Sequence, residues 1–205
     1  MLHAETVCKS TLDLLKDILQ VPDLSAMRLV GGTALSLQLG HRTSVDLDLF
    51  GNFDPTKSFR KLLVDRGHVV EGAESGDVQS LAVDGVKVDL VNYPYGWISD
   101  ALCQDGMRLA GLDDIVAMKL SAAANRGKKK DFIDIAVLLE RFSLGQMFER
   151  YQKKFGVSEI AFALRGLTYF DDAEDDPMPK MFVPLTWDAV KTRLLSAVQN
   201  FIRLA

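Results

Sequence analysis

The sequence predicts an α+β fold: a mixed sheet flanked by helices, followed by a helical C-terminal half. Three observations carry this. Strand-like alternation is confined to the first half, in segments such as Val78–Val83 and 86–91. From Leu112 onward the apolar residues recur at helical spacing. The two kinds of segment do not alternate as they would in a repeating βαβ chain. The expected division is an α/β core at residues 1–111 and a helical region at 112–205 that packs on the core and completes a cleft.

The elements follow in order. Leu12, Leu15 and Ile18 place a helix over about 6–19. Residues 29–50 read as a strand, a glycine turn, one short helix and a second strand. Gly31 and Gly32 let the backbone take positive φ and approach a ligand closely. Thr33 is expected to open the helix and Gly40 to end it. Asp54 with Pro55 can start another helix, running to about 66. The segments 78–83 and 86–91 flank Asp84-Gly85, a two-residue hairpin turn. Tyr93-Pro94-Tyr95-Gly96 breaks the sheet. Helices are expected at about 113–124, 130–142, 145–155, 158–167 and 186–204. Residues 171–184 hold five acids and three prolines, and read as a solvated loop.

Composition bounds the function. A chain of 205 residues with 48% hydrophobic content can bury a sound core, roughly 70% of its unfolded surface. Its net charge of −4 excludes a bulk polyanion binder, so any nucleic-acid contact must be a local patch. Cys8 and Cys103 have no metal-site spacing and read as reduced thiols of a cytoplasmic chain. His3, Glu5, Lys9, Asp13 and Lys16 interrupt the first 20 residues, which excludes a signal peptide. No apolar run reaches the ~18–20 residues of a membrane span. His41 and His68 lack the spacing of zinc ligands.

Candidate chemistry begins at the glycine turn. A helix N-terminus offers free N–H groups and a favourable dipole to phosphate. Asp46 and Asp48, two apart in a strand, put both carboxylates on one face. Each motif alone is weak: most Asp-x-Asp pairs are solvated strand faces, and no Gly-Lys-Ser/Thr closes a Walker A loop. Their value is their closeness. A third acid, Asp89, shares a strand face with Lys87, a face that is ordinarily just solvated. Beside the Asp46/Asp48 strand, however, three carboxylates could hold two Mg²⁺ roughly 3.5–4 Å apart. Arg42 either binds phosphate or braces the acidic strand. Lys119 sits on an amphipathic helix whose apolar stripe includes Ile115 and Met118, and composition alone would leave it on the surface. Arg126 and Lys128–Lys130 form a basic loop. Asp131 and Asp134 follow one turn apart, Asp131 near enough to a helix start to be a dipole-stabilised acid.

As a set these motifs resemble a known family. Gly31-Gly-Thr-Ala-Leu35, Arg42-x-Ser44-x-Asp46-x-Asp48-Leu-Phe50, Lys87-Val-Asp89, Asp114-Ile-x-Ala-Met-Lys119 and Arg126…Lys130-Asp131-Phe-Ile-Asp134 look like the AbiEii/AbiGii-type nucleotidyltransferase toxins. The resemblance covers about residues 29–140, with a similar tail beyond. It implies a minimal DNA-polymerase-β-like fold, an NTP substrate, Mg²⁺, a bacterial toxin usually encoded with an antitoxin, and transfer to an RNA acceptor such as tRNA. Metal would be held by Asp46, Asp48 and Asp89. The nucleotide would be held by Gly31, Gly32, Thr33, Arg42, Ser44, Lys119, Arg126 and Lys130. Lys119 would neutralise the triphosphate from the cleft, and Asp131 or Asp134 would orient a lysine or an acceptor hydroxyl. Three other readings stand beside it: a kinase moving the γ-phosphate, a non-catalytic NTP- or protein-binding module, and an Asp-x-Asp phosphohydrolase. The last wants a continuous apolar strand where Arg42-Thr43-Ser44 stand.

Overall fold

The structure is a computed structural model that describes residues 1–54, 59, 63, 69–157 and 160–204. Its chain divides into two compact units. One comprises Met1–Tyr95 with Asp100–Ala110, the other Gly96–Ser99 with the chain from Gly111 onward.

The first unit is built on a seven-stranded mixed sheet. Its strands are β1 (Arg28–Leu29), β2 (Leu47–Gly51), β3 (Val69–Ser75), β4 (Val78–Val83), β5 (Val86–Asn92), β6 (Leu102–Gln104) and β7 (Met107–Leu109), ordered β3-β4-β5-β2-β1-β7-β6. The pairs β2–β5 and β1–β7 are parallel; the others are antiparallel. Asp84 and Gly85 both take positive φ, at 48° and 80°, as the predicted two-residue turn requires. Asp105 and Gly106 repeat this at 53° and 78° and close the β6–β7 hairpin. The expectation that the sheet ends at Tyr93–Gly96 is therefore corrected: it resumes after Asp100, on its other edge. An Asp-Gly pair was again the available cue.

Helix α1 (Lys9–Leu19) buries Leu12, Leu15 and Ile18. It starts later than 6 because residues 4–6 form a separate 3-10 turn. Helix α2 (Gly31–Leu39) ends at Gly40, whose φ of 69° is the left-handed stop expected there. The helix expected at about 55–66 falls largely outside the described residues, as does His68.

The second unit is helical: α3 (Leu112–Asn125), α4 (Lys129–Leu138), α5 (Leu144–Phe155), α6 (Ala161–Gly166) and α7 (Trp187–Leu204). Ser143 and Gln146 close a capping box at the start of α5. On α6, a Cβ on Gly166 would fall 2.7 Å from the Ala124 Cα, so only glycine permits this α3–α6 approach. Gly96–Ser99 joins this unit through Asp114. Its buried carboxylate accepts from Ile98 N (2.9 Å) and Ser99 N (3.2 Å), and pairs with buried Lys154 at 2.6 Å. The Lys154 ammonium also lies over the Trp97 ring at 4.7 Å. The acidic stretch 171–184 is largely exposed, as expected of a solvated loop, but is tied down at 174–176. Lys129 Nζ donates to the carbonyls of Glu174 (2.9 Å) and Asp176, and its backbone N–H donates to the Asp176 carboxylate at 2.9 Å. Trp187 Nε1 donates to Glu174 at 2.9 Å. This strap follows α4 because Lys129 supplies the charge its carbonyls and acids need.

Candidate active site

In the first unit the glycine turn lies directly against the acidic strand. Val30 N donates to the Asp48 carbonyl at 2.8 Å. Gly31 takes φ 68°, and a Cβ there would stand 2.3 Å from Asp48 Oδ2. At Gly32 a Cβ would meet Arg42 Nη2 at 2.5 Å and Ser44 Oγ at 3.4 Å. A Cβ at either glycine would displace the end of a side chain, the Asp48 carboxylate or the Arg42 guanidinium, and Gly31 is favoured as glycine by its left-handed backbone. The helix opens at Gly31 rather than at Thr33, which sits buried in the first turn. The Thr33 hydroxyl bonds to Ser44 Oγ (2.8 Å) and to the Asp46 carbonyl. It pins the loop that leads into β2. Arg42 is 2% exposed and its Nη1 donates to the Thr43 carbonyl at 2.9 Å.

Gly31→Ala is expected to lower the thermal midpoint and to displace the Asp48 carboxylate. The left-handed backbone alone costs a residue with Cβ roughly 1–2 kcal/mol. A thermal melt compared with that of Gly76→Ala, where a Cβ at similar φ meets nothing within 4 Å, isolates the part due to the carboxylate. Equal losses in the two variants would deny it.

Asp46 immediately precedes β2, Asp48 lies within it, and both are half-exposed. The parallel pairing sets Asp48 opposite Asp89, which meets the condition on which Asp89 depended. Ser80 Oγ donates to Asp89 Oδ1 at 2.7 Å, and Lys87 Nζ donates to Oδ2. That hydrogen bond to Asp89 is the largest influence raising the Lys87 pKa. Burial opposes it, and the charges of Asp89, Asp48 and Asp46 reinforce it. Among the described residues no three acid, histidine or cysteine side chains already converge as an ion cage. Instead, one ammonium stands where the fields of three carboxylates overlap. The side-chain donors of Asp46, Asp48 and Asp89 are all hard oxygens, the ligand type that Mg²⁺ takes.

In the second unit Lys119 is 3% exposed, which corrects the surface reading from composition. Its Nζ lies 2.9 Å from Asp131 Oδ1 and 2.5 Å from Asp134 Oδ2, both carboxylates fully buried. Arg126 grips Asp131 with two bonds, Nε at 2.9 Å and Nη2 at 3.2 Å. Burial acts most strongly on Asp131 and would raise its pKa. The charge of Lys119 and the bonds and charge of Arg126 together outweigh it and hold the carboxyl below its ordinary value. Asp131 is therefore an ion-pair centre, not merely a helix-start acid. The basic loop also divides: Lys128 is exposed, Lys130 half-buried, and Lys129 buried under the 174–176 strap.

Sequence reasoning missed Lys87 as a partner of the acids, and missed the Asp114–Lys154 pair. The i, i+2 spacing of Lys87 and Asp89 on one strand face was the available signal for the first. No local pattern links residues 40 apart, so nothing pointed to the second.

A family model described as nucleotidyl transferase AbiEii toxin, type IV toxin–antitoxin system, matches residues 13–97 and 85–201. An uncharacterized protein of Aquifex aeolicus (strain VF5) is 32% identical over 157 residues, covering 72% of this chain and 75% of that one. Two solved structures share the fold. One is MenT4, a nucleotidyltransferase toxin from Mycobacterium tuberculosis H37Rv, with TM-score 0.58, 15% identity, and coverage of 96% of this chain and 86% of that one. The other is JHP933 from Helicobacter pylori, with TM-score 0.54, 17% identity, and coverage of 96% and 94%.

Proposed function

The chain belongs to the AbiEii nucleotidyl transferase toxin family, and we propose that it moves a nucleotidyl group from an NTP to a hydroxyl of an RNA such as tRNA, with Mg²⁺. The observation that carries this reading is the register pair Asp48–Asp89 beside a glycine turn shaped around the Asp48 carboxylate. Asp46, Asp48 and Asp89 would hold the metal. When bound, Mg²⁺ would supply charge to the reacting phosphate and make the attacking hydroxyl more acidic. The N–H groups at the start of α2 receive the β- and γ-phosphates. Thr33, Ser44 and Arg42 keep that turn and the acidic strand in place. Asp89 orients the acceptor hydroxyl and takes its proton. The acceptor oxygen bonds to the α-phosphorus, the bond to the β-phosphate bridge breaks, and pyrophosphate leaves.

Lys119 has its ammonium committed to two buried acids, so its proposed part is to hold Asp131 and Asp134. Arg126, whose side chain is 53% exposed, is the cation of that cluster that can meet a phosphate. Lys128 and Lys130 are proposed to guide RNA. Neutralising both should flatten the log–log salt slope of RNA binding by roughly 0.7 per lost phosphate contact. Lys129 is left intact in that test because it holds the 174–176 strap. A cognate antitoxin is the proposed protein partner. None of the described helices is long and apolar enough to cross a membrane.

Incubation of the protein with total tRNA, Mg²⁺ and each NTP tests the reaction. Label from the α-phosphate is expected in the RNA. Label only from the γ-phosphate would establish a kinase instead, and neither label a binding module.

A further inference from the structure

The outer side of α6 carries two exposed rings with a guanidinium between them. Gly166 faces α3 so closely that a Cβ would stand 2.7 Å from the Ala124 Cα, and Ala163 and Leu167 are buried. Phe162, Arg165 and Tyr169, at i, i+3 and i+7, share the other side. The helical turn carries on through Tyr169: the Thr168 and Tyr169 N–H groups donate to the Arg165 and Gly166 carbonyls at 3.1 and 3.3 Å. Phe162 is 64% exposed, Tyr169 is 52% exposed, and Arg165 is exposed between them. Among the described residues Arg165 pairs with no acid and Phe162 packs on no ring. The basic loop is close by. Ala124, which meets Gly166, stands just before Asn125 and Arg126. Phe170, next to Tyr169, packs on Phe132 with centroids 5.2 Å apart, and a Cβ on Gly127 would stand 3.6 Å from the Phe132 ring. Arg126 and Lys128 flank Gly127, and both are exposed.

We propose that Phe162, Arg165 and Tyr169 form a docking strip for a single-stranded segment of the RNA acceptor, with bases stacked on the two rings and a phosphate on the guanidinium. The proposal rests on the reading of the chain as a transferase that acts on RNA. An aromatic face accepts an unpaired base of any sequence, and a cation beside it tracks the backbone. Arg165 stands about one helical turn from each ring, so one strand can meet all three. The cations select a nucleic acid here: Arg165 interrupts the apolar surface, and Lys128 adds a second exposed cation on the neighbouring loop. The Tyr169 hydroxyl donates to Asp172 at 3.4 Å. That acid therefore sits at the hydroxyl end of the ring rather than over the face a base would use.

Two end-labelled probes test this with the full chain in Mg²⁺ buffer: a single-stranded RNA of about eight nucleotides, and an abasic ribose-phosphate chain of the same length. Fluorescence anisotropy gives the Kd of each. Phe162→Ala and Tyr169→Ala are each expected to weaken the RNA about tenfold, within the range for loss of one stacked base, and to bind the abasic chain as wild type does. Phe162→Leu should be as weak as alanine, because an apolar side chain without a ring face does not stack. Tyr169→Phe should match wild type. Arg165→Gln should weaken both probes and flatten the log–log salt slope by roughly 0.7, and Arg165→Lys should keep the slope. Thermal melts check folding; should Tyr169→Ala unfold, Phe162→Ala decides. Equal weakening of the RNA and the abasic chain by the alanine variants overturns stacking, as does a Phe162→Leu variant that binds like wild type. Unchanged RNA Kd in every variant overturns the strip and gives the rings to a protein partner. Wild type that transfers α-label to RNA without binding the single strand overturns the strip alone. Wild type that neither binds nor labels RNA overturns the reading of the reaction, and this proposal with it.

Discussion

Asp48→Asn and Asp89→Asn should each lower nucleotidyl transfer by on the order of 10³-fold, the scale of losing a preorganised electrostatic contact to the transition state, and leave the chain folded. The two carboxylates are register neighbours on parallel strands, so their repulsion is built into the sheet. Asparagine keeps their size and removes the charge. Asp89→Asn also takes the charge from Lys87's hydrogen-bonded partner, while Ser80 can still donate to the amide oxygen. Transfer is measured with α-labelled NTP, and folding by a thermal melt without metal. The midpoint should hold or rise, because like charges have been thinned. Wild-type transfer in Asp89→Asn would remove that residue from the site. Loss of folding in both variants would make the acids structural.

The second large effect is on stability. Lys119→Met should cost roughly 3–5 kcal/mol, the penalty for leaving buried charge uncompensated. It takes the Lys119 ammonium from Asp134 and leaves Asp131 the Arg126 guanidinium. The sign of the pH dependence follows from Asp131. Its folded pKa lies below the ordinary value, so its contribution is present at neutral pH. That contribution fades as pH falls below the unfolded value of about 3.9 and through the lowered folded one. Wild type therefore loses stability in acid, and Asp131→Asn should lose less over the same range. In Lys119→Met the Asp131 carboxyl loses the Lys119 charge that lowers its pKa and protonates more readily. The gap between wild type and Lys119→Met should narrow on acidification. Denaturant unfolding at several pH values reads this directly. A deficit below about 1 kcal/mol at neutral pH, the scale of an exposed pair, would contradict the buried geometry.

These two clusters differ in how far they were legible. The strand positions of Asp48 and Asp89 were readable because strand alternation is local, whereas Asp46 falls just before β2. Two residues apart means one face, and an Asp-Gly turn marks where a strand comes back. Lys119, Lys129 and Lys154 were not readable. A lysine on an amphipathic helix ordinarily goes to water, and what reverses that is a carboxylate or carbonyl 12 to 47 residues away.

By itself, then, the sequence determined the α+β class, the glycine turn with its helix stop at Gly40, the Asp84-Gly85 hairpin, the helical second half and the strand positions of Asp48 and Asp89. Each depends on φ/ψ preference or on periodicity within a few residues. Tertiary structure alone decided that β2 and β5 run parallel, that a two-residue β1 joins β2 to the β6–β7 edge, and that Asp48 stands opposite Asp89. It alone decided that Lys119 and Lys154 are buried counter-charges and that buried Lys129 holds the carbonyls of the 174–176 strap. These depend on which distant segment supplies a hydrogen-bond or charge partner, and burial of a charge is tolerated only after that partner has been brought to it.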